Sequence, residues 1–394
     1  MRSYDVVIIG AGLAGLQCSR LLAQNGATVL LVDRKTDVAK GVHTTGIFVR
    51  KTFEDFDFPA GTLGQPISDV SLYSPRLRSL DLKSKVPEFR VGKMPALYSA
   101  LLQDCLAAGV EFASGTKYVS TVSNDGESIV TLQRRERNLE VRTKILVGAD
   151  GALSRVGHDL GLDENKEWIV GYEEVFGSTA MHEPRLHCFL DAKLAPGYLA
   201  WIADDGDEVH IGVGGYAKDF DPRAALREFK LKTAHIIQLS ARPDRLIETR
   251  GGRIPVGGVL ARIANRNGLL IGDAAGAVSP LTAGGLDPCM RLSAMAAGII
   301  TERLHADDPA ILETLSGDAF RARFISRIWM RRIIAKVSRQ FLFEAGFAFL
   351  RTALGKRFAK HVFFGRSSFP DAPVGKSRIF LGLKQEQNNT ASVE

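Results

Sequence analysis

Tyr4-Asp5-Val6-Val7-Ile8-Ile9-Gly10-Ala11-Gly12-Leu13-Ala14-Gly15 is the stretch that decides the fold. The apolar run from Tyr4 to Ile9 stops on a glycine, the pattern of a short strand buried on both faces. Leu13 to Asn25 then has helical spacing, with Gly26 as its stop, and Thr28 to Val32 is a second buried strand. The unit is a βαβ opening. Its three glycines permit a tight turn and a close backbone approach, while the helix's first N–H groups and its dipole favour a bound pyrophosphate. Asp33 ends the second strand, 23 residues after Gly10, where a carboxylate accepts from ribose hydroxyls. A lone glycine motif is compatible with a merely structural turn; strand, turn, helix and strand-end acid together point to a dinucleotide.

Two further stretches bear on which dinucleotide. Leu270-Ile271-Gly272-Asp273-Ala274-Ala275-Gly276 again leads a strand into an acid, about 260 residues after the first turn. A nicotinamide cofactor needs no such late return. A flavin does, because its ribityl chain continues past the pyrophosphate and offers hydroxyls to a carboxylate. Ser279-Pro280-Leu281-Thr282-Ala283-Gly284-Gly285-Leu286 follows and opens a helix, whose N-terminal N–H groups favour negative charge near the flavin N1 and O2. Val147-Gly148-Ala149-Asp150-Gly151 is a third strand-to-helix turn, by itself equally readable as a helix cap.

Taken together, the three motifs resemble the para-hydroxybenzoate hydroxylase-like flavoproteins, and within them the geranylgeranyl reductase family, on Gly272-Asp273-Ala274-Ala275-Gly276 and Pro280-Leu281-Thr282-Ala283-Gly284-Gly285. The resemblance covers roughly residues 1 to 310. It implies a Rossmann-like FAD-binding domain with an interleaved antiparallel substrate sheet. It assigns Ala14 and Gly15 to the pyrophosphate turn, Asp33 to ribose, Thr45 and Gly46 to a loop near the ring, Asp273 to the ribityl chain, and Gly285 and Leu286 to the ring. Gly10, Gly12, Leu13, Arg34, Lys93 and Gly284 complete the expected cofactor contacts. The chain departs from the family in three places. Thr44-Thr45-Gly46 stands where Cys-Gly-Gly is usual, Met94 stands where a helix-start arginine is usual with Lys93 beside it, and Leu199 and Ala203 replace two aromatics of a substrate-lining strand that keeps Trp201. Trp201 is thus expected either on the substrate pocket or in plain core. A period of two turns Tyr198 away from the Trp201 face. Hydroxylases of the group usually have histidine at Gly276.

The rest of the chain sets bounds. Its 394 residues, 45% hydrophobic and 24% charged, suit one large or two intimately joined domains and not a disordered or fibrous chain. Asp5 and the interrupting glycines make the first apolar run a cofactor turn and not a signal sequence, and no run is long enough to span a bilayer. The expected location is cytoplasmic or peripheral to a membrane. Cys18, Cys105, Cys188 and Cys289 lie far apart, giving no metal spacing and four free, mostly buried thiols. Strands are expected at Ile67 to Tyr73, Leu77 to Leu82, Leu139 to Arg142 and Ile145 to Val147, and helices at Met94 to Ala108 and Gly285 to Leu304. The expected division is a discontinuous FAD-binding domain (1–66, 91–165, 264–308), a β-sheet substrate domain (67–90, 166–263), a basic apolar helical region (309–384) and a tail (385–394).

From Arg321 to Arg366 there are twelve Lys or Arg and one acid, Glu344, so this segment carries +11 and the remainder of the chain is near −4. Arg323, Arg327 and Arg331 recur at i, i+4, as do Trp329, Ile333, Val337 and Phe341, giving one helix with a cationic and an apolar side. Two readings stand: a cap with its apolar face on the core and its charges solvated, or a surface for anionic lipid or a diphosphate head group. No recognition motif supports nucleic acid. The expected chemistry is reduction of C=C bonds in a prenyl lipid or related hydrophobic substrate, fed by NAD(P)H or a reduced carrier protein because only one glycine-rich βαβ unit is present. His43, Tyr198 or a water remain open as proton donor. The alternatives are a monooxygenase or halogenase acting on an aromatic or polyketide-like substrate, and a membrane-surface electron carrier.

Overall fold

The computed structural model describes residues 1–124, 126–179, 183–216, 218, 220–337 and 339–365, without the side chains of 239, 243, 319 and 321–323. Arg323's side chain and the tail 385–394 therefore lie outside the described residues. The chain begins β1 (Arg2–Ile9), α1 (Leu13–Gln24), β2 (Val29–Val32), β3 (Ile47–Val49), α2 (Arg50–Asp55), β4 (Leu63–Ile67), β5 (Asp69–Tyr73), β6 (Ser79–Lys83), β7 (Phe89–Gly92) and α3 (Met94–Ala107). It continues β8 (Glu111–Ala113), β9 (Lys117–Asn124), β10 (Glu127–Arg134), β11 (Arg137–Gly148), α4 (Arg155–Asp159), β12 (Trp168–Ser178), β13 (Arg185–Phe189), β14 (Ala200–Asp204) and β15 (Glu208–Tyr216). Then come α5 (Pro222–Lys232), α6 (Ala234–Ser240), β16 (Ala241–Pro255), β17 (Ala264–Asn265), β18 (Gly268–Leu270), α7 (Leu286–Ala306), α8 (Asp318–Lys336), α9 (Gln340–Leu350) and α10 (Ala353–Phe364).

One sheet runs β17-β18-β11-β1-β2-β8, with β10 and β9 hung from β11. Here two expected strands prove to be one. β11 is continuous from Arg137 to Gly148: its polar half pairs antiparallel with β10, and its apolar half pairs parallel with β1 and β18. A change of neighbour, and not a chain break, produced the change of hydropathy pattern. The register sets Ile8 beside Val147 and Val147 beside Leu269, so three strands end level with one another. All three strand-to-helix turns therefore meet at one edge, where α/β sheets bind nucleotides.

A second sheet, β16-β12-β15-β14-β13-β5-β6, is antiparallel except where β13 runs parallel to β5. The run expected at Ile67 to Tyr73 is divided: β4 belongs to a small sheet β3-β7-β4, and only β5 joins the large one. On the outer face, Ile202, Ile211 and Val213 pack with Phe229 of α5. On the inner face, Val70, Leu72 and Leu186 pack with Phe347 of α9 and Ala359 of α10. Phe347 is 1% exposed, and burying such a side chain stabilises by about 2–3 kcal/mol. Glu344 is the second anchor of α9, accepting from the Arg76 N–H at 2.7 Å and from the Arg78 guanidinium. The segment's one acid thus ties it to the sheet.

Candidate cofactor and substrate site

The opening turn is built so that only glycine fits it. Gly10 has φ +109°, and a Cβ there would lie 2.3 Å from the Ala149 carbonyl oxygen; one on Gly15 would lie 1.8 Å from the Gly10 oxygen. Gly12 differs, because nothing lies within 4 Å of the place its Cβ would take. It precedes the first turn of α1, whose N–H groups have no side-chain cap. Open space in front of uncapped helix donors is what a pyrophosphate requires. Gly272, at φ +59°, lets the second turn approach Ala14, where a Cβ would come within 2.8 Å of the Ala14 methyl.

A cavity of about 840 Å³ starts at Gly12, Leu13 and Ala14 and takes in Thr45, Gly46, Asp273, Gly284, Gly285 and Leu286. Asp273 opens onto it with no hydrogen-bond partner for its carboxylate among the described residues, and burial pushes its carboxyl up to about 6. A polyol hydroxyl would supply the missing donors. α7 starts behind Gly285 with no side-chain cap, again leaving N–H groups for an electron-rich ring edge. Ala283 holds φ 50° in the loop before it, and the Tyr198 hydroxyl donates to the Thr282 carbonyl at 2.6 Å. These features fit a flavin dinucleotide: Gly12 would face its pyrophosphate, Asp273 its polyol and Gly284 to Leu286 its ring.

Other expected contacts fall elsewhere. Asp33 accepts from the Ala11 N–H at 2.7 Å and the Lys35 N–H at 2.8 Å, bracing the turn with half of its acceptor capacity. Arg34 is exposed outside the cavity lining. Lys93 pairs its ammonium with Asp207 at 2.6 Å and is not among the residues lining the cavity. Met94 takes the space beneath Gly46, which has φ +89°. Asp150 spends its carboxylate on Ser154 and on the Arg155 and Val156 N–H groups at the start of α4, so the third turn reaches the cavity through Ala149 and Gly151.

Beyond the ring position the wall is one face of the large sheet, and its register places Arg250, Glu173, Gly212, Trp201, Cys188 and Leu72 in a row across the strands. The row grades from ionic through indole to aliphatic. Glu173 is 2% exposed; it accepts from Thr45 Oγ1 at 2.5 Å and Trp201 Nε1 at 3.1 Å, with Arg250 Nη1 at 3.5 Å and His210 Nδ1 at 3.6 Å. Although desolvation opposes it, these contacts hold the Glu173 carboxyl below its usual range. Sequence reading missed this group. The signal was present: Glu173 shares the inward phase of Ile169, Gly171 and Val175 in β12. Trp201 and Tyr198 both line the cavity, their ring centroids 6.4 Å apart. Tyr198 precedes β14, so the alternation that was expected to turn it away does not apply to it. His43 also lines the cavity, its Nδ1 3.0 Å from the Gly251 oxygen.

The far end is closed by the C-terminal helices, and here the expected single amphipathic helix is corrected. α8 ends at Lys336, and Phe341 belongs to α9. Phe320 and Phe324 at the start of α8 pack into the core as the cap reading has it, but further on the named positions lie the other way round. Ile325, Trp329 and Ile333 are 55–62% exposed, whereas Arg327 and Arg331 line the cavity. Leu342, Phe349 and Phe358 are both exposed and cavity-lining, so the cavity opens on an apolar surface.

A family model described as FAD binding domain matches residues 3–321. The chain is 26% identical over 317 residues to the digeranylgeranylglycerophospholipid reductase of Methanocella arvoryzae, covering 77% of this chain and 79% of that protein. It is 28% identical over 325 residues to digeranylgeranylglycerophospholipid reductase 2 of Methanosphaera stadtmanae, covering 78% and 80%. In structure it is similar to a geranylgeranyl bacteriochlorophyll reductase-like protein of Thermoplasma acidophilum, with a TM-score of 0.78 at 16% identity over 93% of this chain and 98% of that one. It is also similar to p-nitrophenol 4-monooxygenase of Pseudomonas putida, with a TM-score of 0.66 at 16% identity over 94% and 100%. The fold is the para-hydroxybenzoate hydroxylase-like one, with C-terminal helices added.

Proposed function

The chain belongs to the FAD binding domain family, and on that premise we propose that this FAD-dependent oxidoreductase reduces carbon–carbon double bonds in a prenyl-type or related hydrophobic substrate. The observation that carries the reading is the continuity of the cavity, from the Gly12 turn past Trp201, Cys188 and Leu72 to an apolar mouth at Phe349 and Phe358. The names of the curated relatives support the same substrate class. When bound and reduced, FAD would supply the hydride equivalent that such a reduction needs, the second hydrogen coming as a proton.

The chain's own residues do the rest. The Gly12 turn and the first N–H groups of α1 would hold the pyrophosphate, and Asp273 the polyol. Trp201, Cys188 and Leu72 align an apolar chain across the sheet, and α8 to α10 exclude water from it. Thr45 Oγ1 keeps its proton on Glu173, which fixes the loop beside the ring. NAD(P)H or a reduced carrier protein would supply the electrons.

The mouth faces an anionic bilayer in this reading. The helices α8 to α10 that close the cavity also expose Trp329, Ile333, Phe341 and Leu354 together with Arg332, Arg339, Lys356 and Arg357, each cation worth about 1 kcal/mol near anionic lipid. Among the described residues, no helix is long and apolar enough to cross a membrane.

Anaerobic mixing of the reduced holoprotein with a geranylgeranyl lipid tests the chemistry. Flavin reoxidation with a product heavier by two hydrogens is expected. Reoxidation only after air is admitted, with a product heavier by one oxygen, would replace the reductase with a monooxygenase.

A further inference from the structure

Arg327 and Arg331 are two cations facing the cavity from one side of α8. Arg331 is 3% exposed. Its Nε donates to the Tyr216 hydroxyl at 3.0 Å and its Nη1 to the Pro280 carbonyl at 2.8 Å, while Nη2 has no partner. Its guanidinium carbon lies 5.7 Å from the Tyr198 ring centroid and 5.1 Å from that of Tyr216. Arg327 donates to Ser279 Oγ at 2.9 Å, and burial pushes it below the usual guanidinium range. Neither pairs with a carboxylate among the described residues. Other buried arginines of this chain are matched: Arg291 pairs with Asp55 and Asp287, and Arg250 with Glu173 and Glu248. A desolvated guanidinium pair without a counter-charge is costly unless an anion completes it.

We propose that Arg327 and Arg331 form an oxyanion site for a phosphate-type head group carried on the hydrophobic substrate, which enters head-first with its tail toward the mouth. This rests on the substrate class inferred above. The direction follows from the wall: α8 lines the cavity with Phe324, Arg327, Met330, Arg331 and Ile334, Val337 follows it, and α9 continues with Phe343 and Phe347, so the side chains C-terminal to the two cations are apolar. The cationic end lies against the Ser279–Thr282 loop next to the ring position, and the apolar end leads out. Hydrogen-bond donors and full charge await the head, and hydrocarbon surface awaits the chain. An amphiphile so placed presents to the flavin the double bonds nearest its head.

The test is isothermal calorimetry on the FAD-loaded full chain with farnesyl monophosphate, farnesol, inorganic phosphate and NADPH. Charge-assisted contacts of this kind predict that the phosphate ester binds at least about tenfold more tightly than the alcohol, with inorganic phosphate competing for it. Arg327→Met and Arg331→Met each reduce that ratio, and the double variant brings it to within about threefold of unity. Arg327 is the safer variant because it braces less of the fold. Equal affinity for ester and alcohol in the parent protein, or a preference that survives both substitutions, overturns the site. If only NADPH binding depends on the arginines, the anion belongs to the reductant and the head-group assignment falls. Arginine-dependent ester binding without anaerobic flavin reoxidation would sink the reductase reading and leave the site standing; farnesol reduction without any head preference does the reverse.

Discussion

Gly212 is the point at which sheet geometry and site chemistry depend on each other, and Gly212→Ala tests that dependence. Gly212 lies between Glu173 and Trp201 in the register row. A Cβ there would sit 2.2 Å from Trp201 Cζ2 and 2.9 Å from the Glu173 Cβ. The indole crosses over this glycine to donate to Glu173. An added methyl must push the ring off, at an overpacking cost of about 1–3 kcal/mol, and strip a charged acceptor of a hydrogen bond worth about 1.5–3 kcal/mol. The expected destabilisation is at least about 2 kcal/mol by urea unfolding of the FAD-loaded protein. Trp201→Leu removes the six-membered ring from that space, and in its background alanine also regains the strand preference that glycine lacks, about 0.5–1 kcal/mol. There Gly212→Ala should cost less than about 1 kcal/mol, a coupling of at least about 1 kcal/mol in the double-mutant cycle. A cost that is the same in both backgrounds would refute the reasoning, because the glycine would then not exist for the indole.

Three further outcomes follow from other parts of the site. Gly12→Ala should leave apoprotein stability within about 0.5 kcal/mol, because its Cβ meets nothing within 4 Å, yet weaken FAD binding at least about tenfold in a titration of apoprotein; Gly15→Ala, 1.8 Å from a backbone oxygen, should fail to fold stably. Burial pushes the Asp273 carboxyl from its ordinary value up to about 6, so between about pH 4 and pH 6 the folded apoprotein retains a proton that the unfolded chain has released. Apoprotein stability should therefore fall through that window by at most about 3 kcal/mol, and Asp273→Asn should remove this component while reducing FAD retention; an unchanged pH profile in the variant would exclude Asp273 as its source. Trp329→Glu with Ile333→Glu should abolish sedimentation with anionic liposomes without changing the urea midpoint, since both side chains are more than 60% exposed; sedimentation equal to that of the parent protein would remove α8 from the membrane reading.

The cofactor end was legible in the sequence because its chemistry dictates residue types. Gly10 and Gly15 leave no space for a Cβ, Gly272 and Gly276 have positive φ, and Asp273 must be an acid at a strand end; such demands survive as letters. The substrate end is written in tertiary register. That Arg250, Glu173, Trp201 and Cys188 form one row depends on pairings between residues 11 to 77 apart, and no local spacing reports them. Glu173 alone left a trace, as an acid in the buried phase of a strand. At the position where the family resemblance implies an arginine, Met94 packs against Gly46 and the neighbouring Lys93 pairs with Asp207.

The C-terminal helices expose a deeper ambiguity. An i, i+4 recurrence establishes that a helix has two unlike faces, but hydropathy decides which one turns inward only when the interior is uniformly apolar. Here the interior facing α8 is a cavity bordered by the Ser279–Thr282 loop, whose carbonyl and hydroxyl oxygens need donors. Arginines at 327 and 331 meet that need, and their aliphatic stems keep the wall apolar. The apolar stripe of Ile325, Trp329 and Ile333 is consequently left outside. Natural surfaces seldom keep such a stripe without a use, and the cavity's own mouth, at Leu342, Phe349 and Phe358, is likewise exposed and apolar. The same inversion that sets two charges beside the ring position thus sets hydrocarbon at the entrance. A substrate with an anionic head and a prenyl tail is complementary to both at once.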